Sequence, residues 1–265
     1  MKRFATLLDW FPIGGLALAL ISTLAFLFVR SQSHDASSYF ENAVLVRQLK
    51  QLDAHWELDV MKSKMGINAN YDALVDPLSD LEQLQTNLRS RLSNHQAAIS
   101  LAEAQKMLGE AIRKKTRLIE RFKSHNSVLR NSLFFLPTAA ADLREARSIS
   151  SAADAILLNV LVYSQAPSSE ALSELQAQLD RLSAQGKRQS PAIQATAGIF
   201  ASHARTVLRE QPKVNGLLRE IAAVRTTASI ENLDRILAGE QKEVELQTQQ
   251  DRQYLLIFSD RKSVV

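Results

Sequence analysis

The sequence predicts an all-α protein. Three observations carry that prediction: Gly (8) and Pro (6) are scarce among 265 residues, aromatics are only 6%, and apolar residues recur at intervals of three and four over long stretches instead of alternating. Leu, Ala, Gln, Glu, Arg and Lys dominate, the residues that lose least freedom in a helix. An apolar content of 46% is enough to build a packed core. The architecture expected is an N-terminal transmembrane helix that continues into an elongated antiparallel helical bundle, in the form of two stacked bundles sharing long helices.

Residues 1–10 are expected to be cytoplasmic and residues 11–30 to cross a membrane. Phe11 to Val29 is a run of 19 residues without a charge. At about 1.5 Å per residue it reaches roughly 28 Å, the thickness of a hydrocarbon core. Lys2 and Arg3 precede it and few cations follow Arg30, which places the N-terminus inside and the bulk of the chain in the periplasm of a bacterial inner membrane. A cleaved signal peptide is the competing reading, since Ser31-Gln32-Ser33 offers small residues after the apolar stretch.

Beyond the span, Leu45, Leu49, Leu52, Trp56 and Val60 line one face of a helix over 36–65. Gly66 through Asp72, with Asn68 and Asn70, breaks the period and predicts a loop. Asp76-Pro77 then reads as a helix start, with Leu78, Leu81, Leu84, Leu88 and Leu92 as its stripe. The same helix is expected to run on through Ile99, Leu108, Ile112, Ile119, Phe122 and Leu129 and to end before Pro137. A third helix is predicted over 138–163 and a fourth through Leu172, Leu175, Leu179 and Leu182. Gly186 to Pro191 connects to a fifth over 191–210, after which Pro212 is expected to break or kink the chain. The last helix is predicted over 213–253, turning polar from Gln241.

Cysteine is absent, which rules out disulfides, thiolate metal sites and a Cys nucleophile. Residues 31–253 carry 27 Lys and Arg against 26 Asp and Glu, a balance unlike a nucleic-acid surface. His34, His55, His95, His125 and His203 form no HxxxH or HExxH pattern, and there is no phosphate-cradling loop, GxSxG elbow or kinase motif. No enzymatic activity and no cofactor are expected. Glu57 and Asp59 with Lys62 and Lys64, and Glu110 with Arg113 and Lys114, read as solvated helix faces. The run Arg113-Lys114-Lys115-Thr116-Arg117 is basic, but Glu110 and Glu120 dilute it.

Two stretches go beyond generic helix: LDAHWELDVMKSKMGINANYDALVDPL from Leu52 to Leu78, and ERFKSHNSVLRNSLFFLP from Glu120 to Pro137. Both resemble segments of the double all-alpha-helical ligand-binding (DAHL) domain, the periplasmic sensory region of VirA-type two-component histidine kinases. The resemblance implies that residues 31–253 form a sensory domain that binds a small molecule directly or a periplasmic binding protein, with the membrane and a second copy of the chain as further partners. Asp59, Lys64, Asn70, Tyr71, Asp72, Lys123, Asn126, Arg130 and Asn131 are then candidates to surround a polar pocket at the membrane-distal end. The same residues have a structural reading, in which Asn70, Tyr71 and Asp72 shape the loop and Lys123, Asn126 and Asn131 bond its backbone.

A relative of this kind carries a second membrane helix and a kinase. Here Tyr254 to Phe258 begins an apolar run that Asp260-Arg261-Lys262 ends, so residues 254–265 read as the aborted start of a second span, as in a truncated sensor gene. The alternative is a helical envelope scaffold or tether that needs no ligand.

Overall fold

The structure, a computed structural model, describes Ser22 and residues 36–92, 98–146 and 148–260. All regular elements among the described residues are α-helices, as the composition predicts: α1 (Ala36–Met65), α2 (Asp72–Leu92), α3 (Ala98–Ala141), α4 (Ser150–Gln165), α5 (Ser169–Gly186), α6 (Pro191–Ala222) and α7 (Thr226–Asp260). The expected membrane span lies, Ser22 apart, outside the described residues. No helix among those described is long and apolar enough to cross a membrane. Tyr254 to Asp260, read as the onset of a second span, continue α7.

The chain divides into two compact units. The first takes Ala36–Lys50 of α1, Gln83–Leu92 of α2, the start of α3 up to Met107, and α7 from Thr227. Val46, Leu49, Leu88, Leu92, Leu101, Ala104, Ile230, Leu233 and Leu237 are its buried core. On its surface Glu41 pairs with Arg91, and Lys50 meets Asp234 at 3.0 Å. Such exposed pairs contribute about 1 kcal/mol or less. The second unit takes the rest of α1, α2 and α3 together with α4, α5 and α6, the last three packed on one another. Trp56, Leu74, Phe122, Leu129, Tyr163, Leu179, Phe200 and Val207 fill its interior, and the Trp56 indole donates to the Leu74 carbonyl at 2.9 Å, tying α1 to α2. Ser168 and Ser190 cap α5 and α6 by accepting from the backbone N–H of Ala171 and Ile193.

Several expected boundaries differ. The long helix predicted from Pro77 to Leu133 is two helices, α2 and α3. The buried stripe shows why: Leu88 and Leu92 are buried, Ile99 is 82% exposed, and the stripe resumes at Leu101, half a turn out of phase. Pro77 lies inside α2 rather than at its first position, Pro137 inside α3, and Pro212 inside α6. A proline within a helix costs about 3 kcal/mol or more. Each of these helices nevertheless keeps its buried face past the proline, through Leu81 in α2, Ala139 and Ala140 in α3, and Val214, Leu217 and Ile221 in α6. Burial at about 25 cal/mol per Å² over several such side chains exceeds the loss.

The third predicted helix loses its first half. Leu143, Ala146 and Ile149 are buried at a spacing of three, and their N–H groups donate to Ala140, Leu143 and Ala146, three residues back. These are tight turns in which every third residue faces the same way.

The basic run at Arg113 is not a uniform surface. Lys115 is fully buried, with its ammonium 2.6 Å from Asp53 and 2.7 Å from Glu57 and 5.9 Å from the centre of the Trp56 ring. Asp53, Trp56 and Glu57 share one face of α1, so Glu57, expected on a solvated face, is half-buried against Lys115. Asp59 pairs with Lys62 at 3.0 Å, the arrangement expected of i,i+3 neighbours.

Candidate ligand-binding site

The site is organised around the end of α1. The Ile67 N–H donates to the Lys62 carbonyl at 2.9 Å and the Gly66 N–H to Ser63 at 3.3 Å, the bond pattern that closes a helix through a left-handed residue. Gly66 takes that conformation with φ 76°. Next, the Asp72 N–H donates to Asn70 Oδ1 at 3.3 Å while Asn70 Nδ2 donates to Asp72 Oδ2 at 2.5 Å, which starts α2 at Asp72 and not at Asp76.

α3 grips this loop from one face. The buried Asn126 donates from Nδ2 to the Ser63 carbonyl at 3.1 Å and to the Tyr71 hydroxyl at 2.9 Å, and one turn on Arg130 Nη1 donates to the Asn68 carbonyl at 3.1 Å. Asn126 Oδ1 is buried with no partner among the described residues. Arg130 therefore holds the loop backbone, Asn126 holds the end of α1 and the Tyr71 side chain, and Lys123, expected to bond the loop backbone, pairs with Glu120 at 2.9 Å.

Beside the loop, within the second unit, lies a cavity of about 670 Å³. Lys64, Met65, Gly66, Ala69 and Tyr71 form one wall, and Ser127, Arg130, Asn131, Leu133 and Phe134 of α3 form another. Ser164 and Gln165 at the end of α4, with Gln211 and Asn215 of α6, complete it. Lys64 Nζ reaches Gln211 Oε1 at 3.5 Å, and Gln211 Nε2 donates to Asn215 Oδ1 at 3.1 Å. Burial holds the Lys64 ammonium below the usual lysine range, because desolvation disfavours its charged form. Phe134 is 77% exposed and packs edge-to-face on Phe135, which stacks on His203.

Of the nine residues singled out from the sequence, Lys64, Tyr71, Arg130 and Asn131 line the cavity, and Asn126 is one hydrogen bond away through Tyr71. Asp59, Asn70, Asp72 and Lys123 are not part of its wall. Gln211 and Asn215 were not anticipated. Their signal was present: Gln211 occupies a stripe position between Leu208 and Val214, where an apolar residue is expected.

One helical step from Gln211, the buried Glu210 accepts from His125 Nδ1 and Arg209 Nε, both at 2.6 Å, and from Lys213 Nζ at 3.3 Å. Burial alone would raise its pKa, but the bonds from Arg209, His125 and Lys213 outweigh it and bring the carboxyl down to about 2.

A family model of the DAHL domain matches residues 34–252. No curated protein and no solved structure matches the chain.

Proposed function

Because the chain belongs to the DAHL domain family, we propose that it is the extracytoplasmic, ligand-sensing region of a two-component signal-transduction receptor. DAHL domains are sensor domains. In this reading Phe11–Val29 anchors the chain in the inner membrane, the bulk lies in the periplasm, and no catalytic step belongs to these residues. The observation that carries the reading is the cavity: Lys64, Tyr71, Arg130, Gln165, Gln211 and Asn215 bring polar groups from four helices and a loop to one place. A helical tether needs no such convergence.

Sensing requires that a ligand favour one of two packings, since a ligand with equal affinity for both shifts nothing. Elements that the cavity joins, the α1 end and α3, α4 and α6, are the ones whose packing a bound molecule would bias. Transmission to the cytoplasm then runs through the membrane helix of a dimer or through a partner's helices. The test is a chimaera in which residues 1–253 precede the second membrane helix and kinase of a characterised receptor. Exposed to a panel of anionic, neutral and cationic metabolites, it is expected to change reporter output for one class of compound, and Arg130→Gln is expected to abolish the change. A membrane-inserted, folded chimaera with flat output across the panel would defeat the sensory reading.

A further inference from the structure

We infer that the cavity is selective for charge and takes a small organic carboxylate, its anionic head held between Lys64 and Arg130 and its body against Leu133 and Phe134. This rests on the sensory reading and specifies its ligand.

Charge pairing in this unit gives the first argument. Lys62, Lys115, Lys123 and the Arg209–Lys213 pair are each matched to a carboxylate, namely Asp59, Asp53 with Glu57, Glu120, and Glu210. Lys64 and Arg130 are different: neither has a carboxylate within ion-pair distance among the described residues, and no Asp or Glu lines the cavity they share. Their hydrogen-bond partners are a neutral amide and a backbone carbonyl. Two half-buried cations lining one cavity without a counter-charge are costly to desolvate until an anion arrives. The same desolvation lowers the Lys64 pKa from its ordinary value.

Geometry gives the second argument. Nη1 of Arg130 is anchored on Asn68, which orients the guanidinium and leaves its other N–H groups for a bidentate acceptor. Nη2 stands 4.0 Å from where a Cβ on Gly66 would be, which sets the guanidinium beside the left-handed turn. Asn131, Gln165, Asn215 and Ser127 add neutral donors and acceptors, suited to hydroxyl or carbonyl groups on the ligand body. The exposed Phe134 ring and Leu133 supply apolar surface. A volume of about 670 Å³ fits a molecule of metabolite size.

The experiment is thermal-shift and calorimetric titration of the purified full chain with a series of aliphatic and aromatic carboxylates, each compared with its primary amide and its amine analogue, and with inorganic phosphate. Carboxylates are expected to raise the melting temperature saturably, with the amides and amines inactive. Lys64→Met and Arg130→Gln are each expected to weaken carboxylate binding about tenfold or more. Lys64→Arg retains it, which separates lost charge from lost folding, and Lys242→Met leaves it unchanged.

The inference is overturned if amides bind as tightly as acids, if phosphate binds more tightly than every carboxylate, if no carboxylate in the series binds, or if the two substitutions leave affinity intact. Amide binding that the cavity substitutions abolish removes the anion assignment and leaves the sensory reading standing. Carboxylate binding with a silent chimaera removes the sensory reading alone.

Discussion

The Lys115 ammonium lies 2.6 Å from the Asp53 carboxylate with both side chains out of contact with solvent. Lys115 also reaches Glu57 at 2.7 Å, so removing the lysine takes away the cation that a buried and a half-buried carboxylate both face. Lys115→Met is expected to destabilise the protein by about 3–5 kcal/mol in urea or guanidinium unfolding. A second change, Asp53→Leu, on that background should restore most of the loss. Equal stability of Lys115→Met and wild type would contradict the pairing.

Glu210 makes stability depend on acid in a defined window. Its folded pKa is about 2 against an ordinary value of 4.5, so its contribution is fully present above about pH 4.5 and is lost as pH falls towards 2. Melting temperatures of wild type and Glu210→Gln, measured from pH 7 to pH 2, are expected to differ most at the neutral end and to converge below pH 4.5. A constant gap across that range would show that the bonds from Arg209, His125 and Lys213 do not depend on the carboxylate charge.

The left-handed Gly66 carries its own cost. Ala at φ 76° is strained by roughly 1–2 kcal/mol, and its methyl group would lie against the Arg130 guanidinium. Gly66→Ala is expected to lower unfolding free energy by about that amount, and Gly66→Asn by less, since Asn tolerates this conformation better.

Asn126 and Tyr71 are expected to be energetically coupled. Tyr71→Phe removes one hydrogen bond, at about 0.5–1.5 kcal/mol, whereas Asn126→Ala also removes the side-chain donor to the Ser63 carbonyl, leaving it the Gly66 N–H alone. A double-mutant cycle by chemical denaturation should therefore give a smaller loss for the pair than the sum of the singles.

Much of this fold was legible because helices announce themselves by spacing. The stripe Leu49, Trp56, Val60 located α1, and the Gly66–Asp72 segment located its end. Proline misled at Pro137, where a local rule predicts a stop, and at Pro212 the chain does not break: the buried faces of α3 and α6 continue past both. The Lys115 pair was hidden for a different reason, since its partners stand about sixty residues away and nothing local marks one lysine of a basic run as internal. In the cavity, Lys64, Tyr71, Arg130 and Asn131 were reached through the resemblance of the two segments that carry them. Ser164, Gln165 and Asn215 come from α4 and α6, and only the tertiary fold brings them there.

The three internal prolines also bear on mechanics. Each lacks the amide hydrogen that would bond four residues back, so the carbonyls of Ala73, Leu133 and Leu208 lose their usual helical donors. All three gaps fall in the second unit, and Leu133 is itself part of the cavity wall. Helices bend most readily where a rung is missing. The ladder is thinned in the same unit that holds the cavity, and Leu133 and Gln211 put the cavity wall beside two of the gaps, so a molecule filling that space would press on compliant turns of α3 and α6.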